Sequence, residues 1–184
     1  MVGIPDGLGA FDNGDSTFTL MMNHELTNTA GILRAHDSAR AFVSKWIINK
    51  SNLRVMNGSD LIQKVYVWDT VTHSFMKRST AFSRFCSTDL PPVSAFYNST
   101  SALGTQERIF MNGEENGMEG RAVGHIVTGT EAGTSYELPY LGKFAWENSV
   151  ACPTLSDKTV VAGMDDGPGG QVYLYIGCQN KCRY

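Results

Sequence analysis

The feature that most constrains this chain is a unit that recurs three times: an apolar stretch, a turn, a strand, then carboxylates. Gly9-Ala-Phe-Asp-Asn-Gly-Asp-Ser-Thr-Phe-Thr-Leu-Met-Met-Asn-His-Glu25 has this order, and Gly104 to Glu115 and Val150 to Asp166 repeat it. The units end on Glu25, on Glu114-Glu115 and on Asp165-Asp166. Repeated antiparallel strand units around an axis are the logic of a β-propeller. In such a fold equivalent strand ends converge on one central channel, so the three acidic ends are expected to meet.

The rest of the chain reads as short strands between turns. Ser16–Met22 follows the turn Asp12-Asn-Gly-Asp15, and Leu61–Asp69 is rich in β-branched and aromatic residues. Arg108–Met111, Ala122–Thr128, Thr159–Ala162 and Gln171–Ile176 complete the set, with turn clusters at Asn57–Asp60, Asn112-Gly113 and Asp165–Gly170. One helix is expected. Ala39, Phe42, Val43, Trp46 and Ile47 share the apolar spacing of a helix face, with Asp37 or Ser38 as N-cap. The expectation is an all-β, partial β-propeller of about three blades with one short inserted helix. Residues 1–177 form one domain and residues 178–184 a loose tail.

Composition excludes several classes. A net charge of −3, with fifteen scattered basic residues, offers no surface for nucleic acid. No apolar run is long enough to span a bilayer, and Met1 is followed by no basic and apolar leader, so a soluble chain is expected. Cys178 and Cys182 read as reduced thiols on the tail, with a clip or a metal pair as the alternative. No Gly-x-Ser-x-Gly elbow and no phosphate loop is present.

Adjacent carboxylates repel unless solvated or neutralised, and a divalent cation removes the penalty. All-oxygen ligand sets favour hard cations, calcium first. Neighbours on a strand point to opposite faces, so one of Glu114 and Glu115, and one of Asp165 and Asp166, need face the channel. In Asn23-His-Glu25 the same rule favours Glu25 as ligand, leaving His24 beside it or packed against backbone. Arg121, closing the polar segment Gly113–Arg121, suits an anionic substrate; the alternative is a salt bridge to Glu119 or Glu114. Cys86 is either a small buried hydrophobe or a thiolate ligand for a softer metal such as iron.

Together these residues resemble the PhoX-type alkaline phosphatase family. The resemblance lies in a strand running into Asn23-His-Glu25, Cys86 followed by Gly104-Thr105 and Glu114-Glu115, and a late Asp165-Asp166 before Gly169-Gly-Gln-Val-Tyr-Leu-Tyr175. It implies a calcium and iron cluster in a propeller channel that hydrolyses phosphate esters. Glu25, Cys86 and one of Glu114 or Glu115 match metal-ligand positions, and Asp165 and Asp166 match a late acidic pair. Glu147, in Trp146-Glu-Asn148, stands where a His-Glu pair is implied and is counted among the ligands. Cys86 and Gly104 are further apart than in that family, and the chain is under half its length. A truncated ring exposes sheet edges, so a homodimer or larger assembly is expected.

The function expected is therefore metal-dependent phosphoester hydrolysis of a small-molecule substrate, with Arg121 and His24 in catalytic roles. The alternatives are a calcium-stabilised binding or assembly module without activity, and a lactonase-like esterase.

Overall fold

Short β-branched and aromatic runs between Gly, Asn and Asp turns become strands from end to end, and the protein is all-β. The computed structural model describes residues 2–26, 29–154 and 156–179. Sheet one is an antiparallel meander of β1 (Ile4–Asp12), β2 (Thr17–Glu25), β3 (Phe42–Asn49) and β4 (Val55–Asp60). The turn Asp12-Asn-Gly-Asp15 does what its composition demands. Asp12 accepts the Gly14 N–H at 2.7 Å, Asp15 accepts the Thr17 N–H at 2.6 Å, and Gly14 adopts φ +80°.

After β5 (Lys64–Asp69), β6 (Ser74–Lys77) and a small ribbon of β7 (Tyr97–Asn98) and β8 (Leu103–Gly104) come β9 (Ile109–Gly113), β10 (Ala122–Ile126) and β11 (Thr134–Glu137). Sheet two runs β6-β5-β11-β10-β9, with β5 and β11 parallel. Sheet three is the antiparallel set β12 (Trp146–Ala151), β13 (Lys158–Asp165) and β14 (Val172–Cys178). Sheet one has the form of a propeller blade. Sheet two does not, because its parallel pair joins segments far apart in sequence, and among the described residues the strand pairing shows no closed ring.

The inserted helix expected over Ala39–Ile47 is a strand instead. Phe42–Asn49 is β3, paired on one side with β2 and on the other with β4. Phe42, Val43 and Ser44 are all buried, so the strand is covered on both faces at that end. A strand buried on both faces loses its alternation, and the remaining apolar positions then match a helical period. Asp37, the expected N-cap, has φ +60° and belongs to the loop before β3. Among the described residues the only helical elements are three-residue 3₁₀ turns, and none could cross a membrane. The last strand continues through Cys178, and Gln179 donates its N–H to Asp157 O, so the domain extends past its expected limit at 177. Cys86, Cys152 and Cys178 are free thiols; Cys182 lies outside the described residues.

Sheets one and two are joined by a core of Met21, Val43, Ile62, Phe82, Phe85 and Phe110. Burying each such side chain contributes about 2 kcal/mol. Inside this core sits one polar link. Asn23 on β2 and Asn112 on β9 exchange amide hydrogen bonds of 2.7 and 2.8 Å, and Asn23 also donates to Cys86 O at 2.7 Å. Both amides are fully buried and fully engaged, so they fix β2, β9 and the Cys86 backbone in one register. Met111, Ala151 and Val161 join sheet three to sheet two.

Candidate metal centre

Cys86 lies on an irregular segment bridged to β9 through Phe85–Glu114 and Asp89–Met111 pairs. Phe85 turns into the core, so Cys86 turns the other way, toward the end of β2. There its sulfur meets carboxylates from four places in the chain. Asp6, Glu25 and Cys86 place one ligand atom each within 4.8 Å of one another, and Cys86, Glu115 and Glu147 do the same. The two triads share the one sulfur. Cys86 Sγ lies 3.4 Å from Asp6 Oδ2 and 3.2 Å from Glu147 Oε2.

Two of these carboxylates ride on β-bulges. In the β1–β2 ladder Pro5 pairs with His24 and Leu8 with Met22, so Asp6 and Gly7 together face Asn23. In the β12–β13 ladder Trp146 pairs with Asp165 and Asn148 with Met164, which leaves Glu147 as the extra residue. A bulge re-aims a side chain that strict alternation would send elsewhere. Gly7 permits the first of these: its N–H reaches Cys86 O at 3.3 Å, and a Cβ there would stand 2.7 Å from the Thr88 nitrogen. Gly113 permits the second. A Cβ on it would lie 2.2 Å from Trp146 Cβ, so only glycine lets β9 approach β12 closely enough to bring Glu115 beside Glu147.

Arg84 is the cation that faces the cluster. Its Nε is 3.0 Å from Glu25 Oε2 and its Nη1 2.9 Å from Glu115 Oε1, and these bonds hold its pKa up. Arg84, Glu25 and Glu115 line an open cleft of about 540 Å3 with Ile4, Ser83 and Asn116. One guanidinium stands against four carboxylates, and Glu115 Oε2 is buried with no hydrogen-bond partner. Burial raises the Glu115 pKa, Arg84 and a hydrogen bond from the Cys86 thiol oppose the rise, and the charges of Glu147 and Asp166 add to it. Burial also pushes the Cys86 thiol up, helped by Glu147 and Asp6. Excess negative charge with an orphaned carboxylate oxygen is the condition a bound cation relieves.

Of the residues expected from sequence, Glu25, Cys86, Glu115 and Glu147 come together here. Glu114 does not. It points inward, accepts the Ser83 N–H at 2.7 Å, and holds Arg121 through Nε at 2.5 Å and Nη2 at 2.9 Å. Arg121 is thereby occupied and stands over the Phe82 ring, away from the cluster, so the salt-bridge alternative describes it. Burial alone would lower its pKa; the Glu114 contacts outweigh that and hold it up. His24 lies on the opposite face of β2 from Glu25. It bonds Val2 O at 2.7 Å and Ser44 Oγ at 2.8 Å and stacks on Phe42, and burial lowers its pKa. Asp165 caps its own turn by accepting the Gly167 N–H at 2.9 Å. Asp166 donates its N–H to Ala145 O and reaches the cluster only by its charge on Glu115.

Asp6 and Arg84 are the members that sequence reasoning missed. Asp6 sits in Pro5-Asp-Gly7, which reads as a turn, and Arg84 is two residues before Cys86 with nothing to mark its direction. No family model matches the chain, nor does any curated protein or solved structure.

Proposed function

We propose that the chain is a metal-dependent phosphoester hydrolase whose centre is Asp6, Glu25, Cys86, Glu115 and Glu147. The observation that carries this is the sharing of one sulfur by two three-ligand triads, the form of a site for two adjacent cations. Thiolate suits a softer metal such as iron, and the four carboxylates suit calcium, so the donor set fits a mixed pair. Cations held there would polarise a phosphoryl oxygen and supply an activated water.

The chain's own residues define the rest. Asp6 and Glu147 close the cluster from two bulges, and the Asn23–Asn112 link holds the Cys86 backbone in place. Arg84 is the substrate clamp in this scheme, replacing Arg121. Its side chain is half exposed and faces the cleft, whereas Arg121 is committed to Glu114. Once Glu25 and Glu115 turn their charge to metal, the Arg84 fork is free for two phosphate oxygens.

The test is elemental analysis of protein purified without chelators, with aryl phosphate hydrolysis measured on the same sample before and after EDTA. Bound metal with chelator-sensitive turnover, both lost in Cys86→Ser, is the expected result. Bound metal without turnover on any phosphate ester assigns the cluster to a metal-stabilised binding module. Metal-free protein overturns the proposal.

A further inference from the structure

Sheet three buries one face and leaves the other bare. Ala151, Val161 and Tyr175 lie on the side packed against sheet two. Directly paired residues of an antiparallel ladder share a face. The pairs Val160–Ile176, Ala162–Leu174 and Met164–Val172 point the other way, with Val150 beside Ala162. Val172 is 69%, Leu174 63% and Ile176 59% exposed. Val150 is exposed as well, and the three β13 residues are half-buried.

An antiparallel sheet with one solvated face normally carries polar residues there. These rows are aliphatic instead, and a contiguous apolar face of this kind marks an interface. Charge flanks the face at the two ends of β13: Lys158 opens the strand, paired with Cys178, and Asp166 follows it, exposed. An uncharged aliphatic centre is the composition of contacts between identical subunits. Sheets packed face to face keep their strands aligned, so a second copy can sit with its β13 parallel or antiparallel. The antiparallel setting brings Lys158 of each copy to the Asp166 end of the other, twice over. The parallel setting puts like charges together.

We infer that a second copy of the chain docks on this face of sheet three, across a two-fold axis and with the two β13 strands antiparallel. The strands of the sheet are six, eight and seven residues long. Such a face measures roughly 24 by 14 Å. That is small for an interface, so the dimer is expected to dissociate in the micromolar range.

Sedimentation velocity on the full chain, from about 1 to about 200 µM, tests the assignment. A monomer–dimer equilibrium is the expected result. Leu174→Lys, at an exposed position, is expected to leave monomer alone at every concentration with an unchanged circular dichroism spectrum. Should that variant misfold, Val172→Lys takes its place. Lys158→Glu and Asp166→Lys are each expected to weaken the dimer at least about threefold, since every contact occurs twice. The double variant, with the charges exchanged, is expected to restore it. A chain that stays monomeric at the highest concentration overturns the proposal and leaves the face to a different partner. A dimer that survives Leu174→Lys, charge variants without loss, or a loss that the double variant does not recover overturns it as well.

Discussion

Glu114 and Glu115 are neighbours in sequence with opposite roles, and substituting each with Gln separates them. Glu114 is 2% exposed and pairs with Arg121, whose side chain keeps 20% exposure. Removing one partner of a buried pair leaves an uncompensated charge and costs about 3–5 kcal/mol. The residual exposure of Arg121 places Glu114→Gln near the lower end, about 3 kcal/mol. With a urea slope of about 2 kcal/mol per molar, the midpoint should fall by about 1.5 M. Glu115→Gln removes a carboxylate repelled by Glu147 and Asp166 and tied to a half-exposed Arg84. Its effect on metal-free protein should therefore stay within about 1 kcal/mol, while metal binding is lost. The assay is urea unfolding of both variants in EDTA, with elemental analysis of each prepared without it. A Glu114→Gln variant that loses its metal at unchanged stability would refute the assignment of Glu114 to the fold.

Three further outcomes are expected. Asp6→Asn should reduce bound metal without lowering the EDTA-treated melting temperature, because Asp6 contacts the cluster through its carboxylate alone; unchanged metal content would remove it from the centre. Gly113→Ala should destabilise by about 1–3 kcal/mol in urea unfolding, since its Cβ meets the Trp146 side chain at 2.2 Å; a neutral change would show that β9 and β12 can separate. His125, buried between Asn112 and Ser135, has its pKa pulled down to about 3 by burial, from an ordinary 6.5. The unfolded chain then binds the extra proton, so this contribution is complete above pH 6.5 and lost as pH falls toward 3. The loss is about 1.4 kcal/mol per unit at most. Replacing His125 with Gln should flatten the pH dependence of the unfolding free energy from urea titrations by about 2 kcal/mol in all between pH 7 and 5, and an unchanged slope would contradict neutral burial.

Part of the centre was legible in the chain. Glu25 closes β2 and Glu115 follows β9, and the rule that strand neighbours face opposite ways separated Glu25 from His24 and allowed for the split between Glu114 and Glu115. Which of that pair faced the cluster was not legible, since it depends on how the segment around Cys86 packs. Asp6 was invisible because its direction is set by a bulge, and Glu147, the other bulged member of the cluster, was reached only through resemblance. A bulge is created by a partner strand and leaves no period of its own. The helix expected over Ala39–Ile47 failed for a related reason: β3 is covered on both faces where it is most apolar.

What the sequence determined by itself is the local conformation: turn residues and β-branched runs set where most strands start and stop, because those preferences belong to single residues and their neighbours. The tertiary structure alone decided which strands pair and which charges meet. The parallel joining of β5 to β11, the two bulges and the pairing of Arg121 with Glu114 rather than with the cluster all depend on contacts between segments far apart along the chain. The energy of such contacts comes from shared burial and from charge–charge distance, quantities no single residue carries.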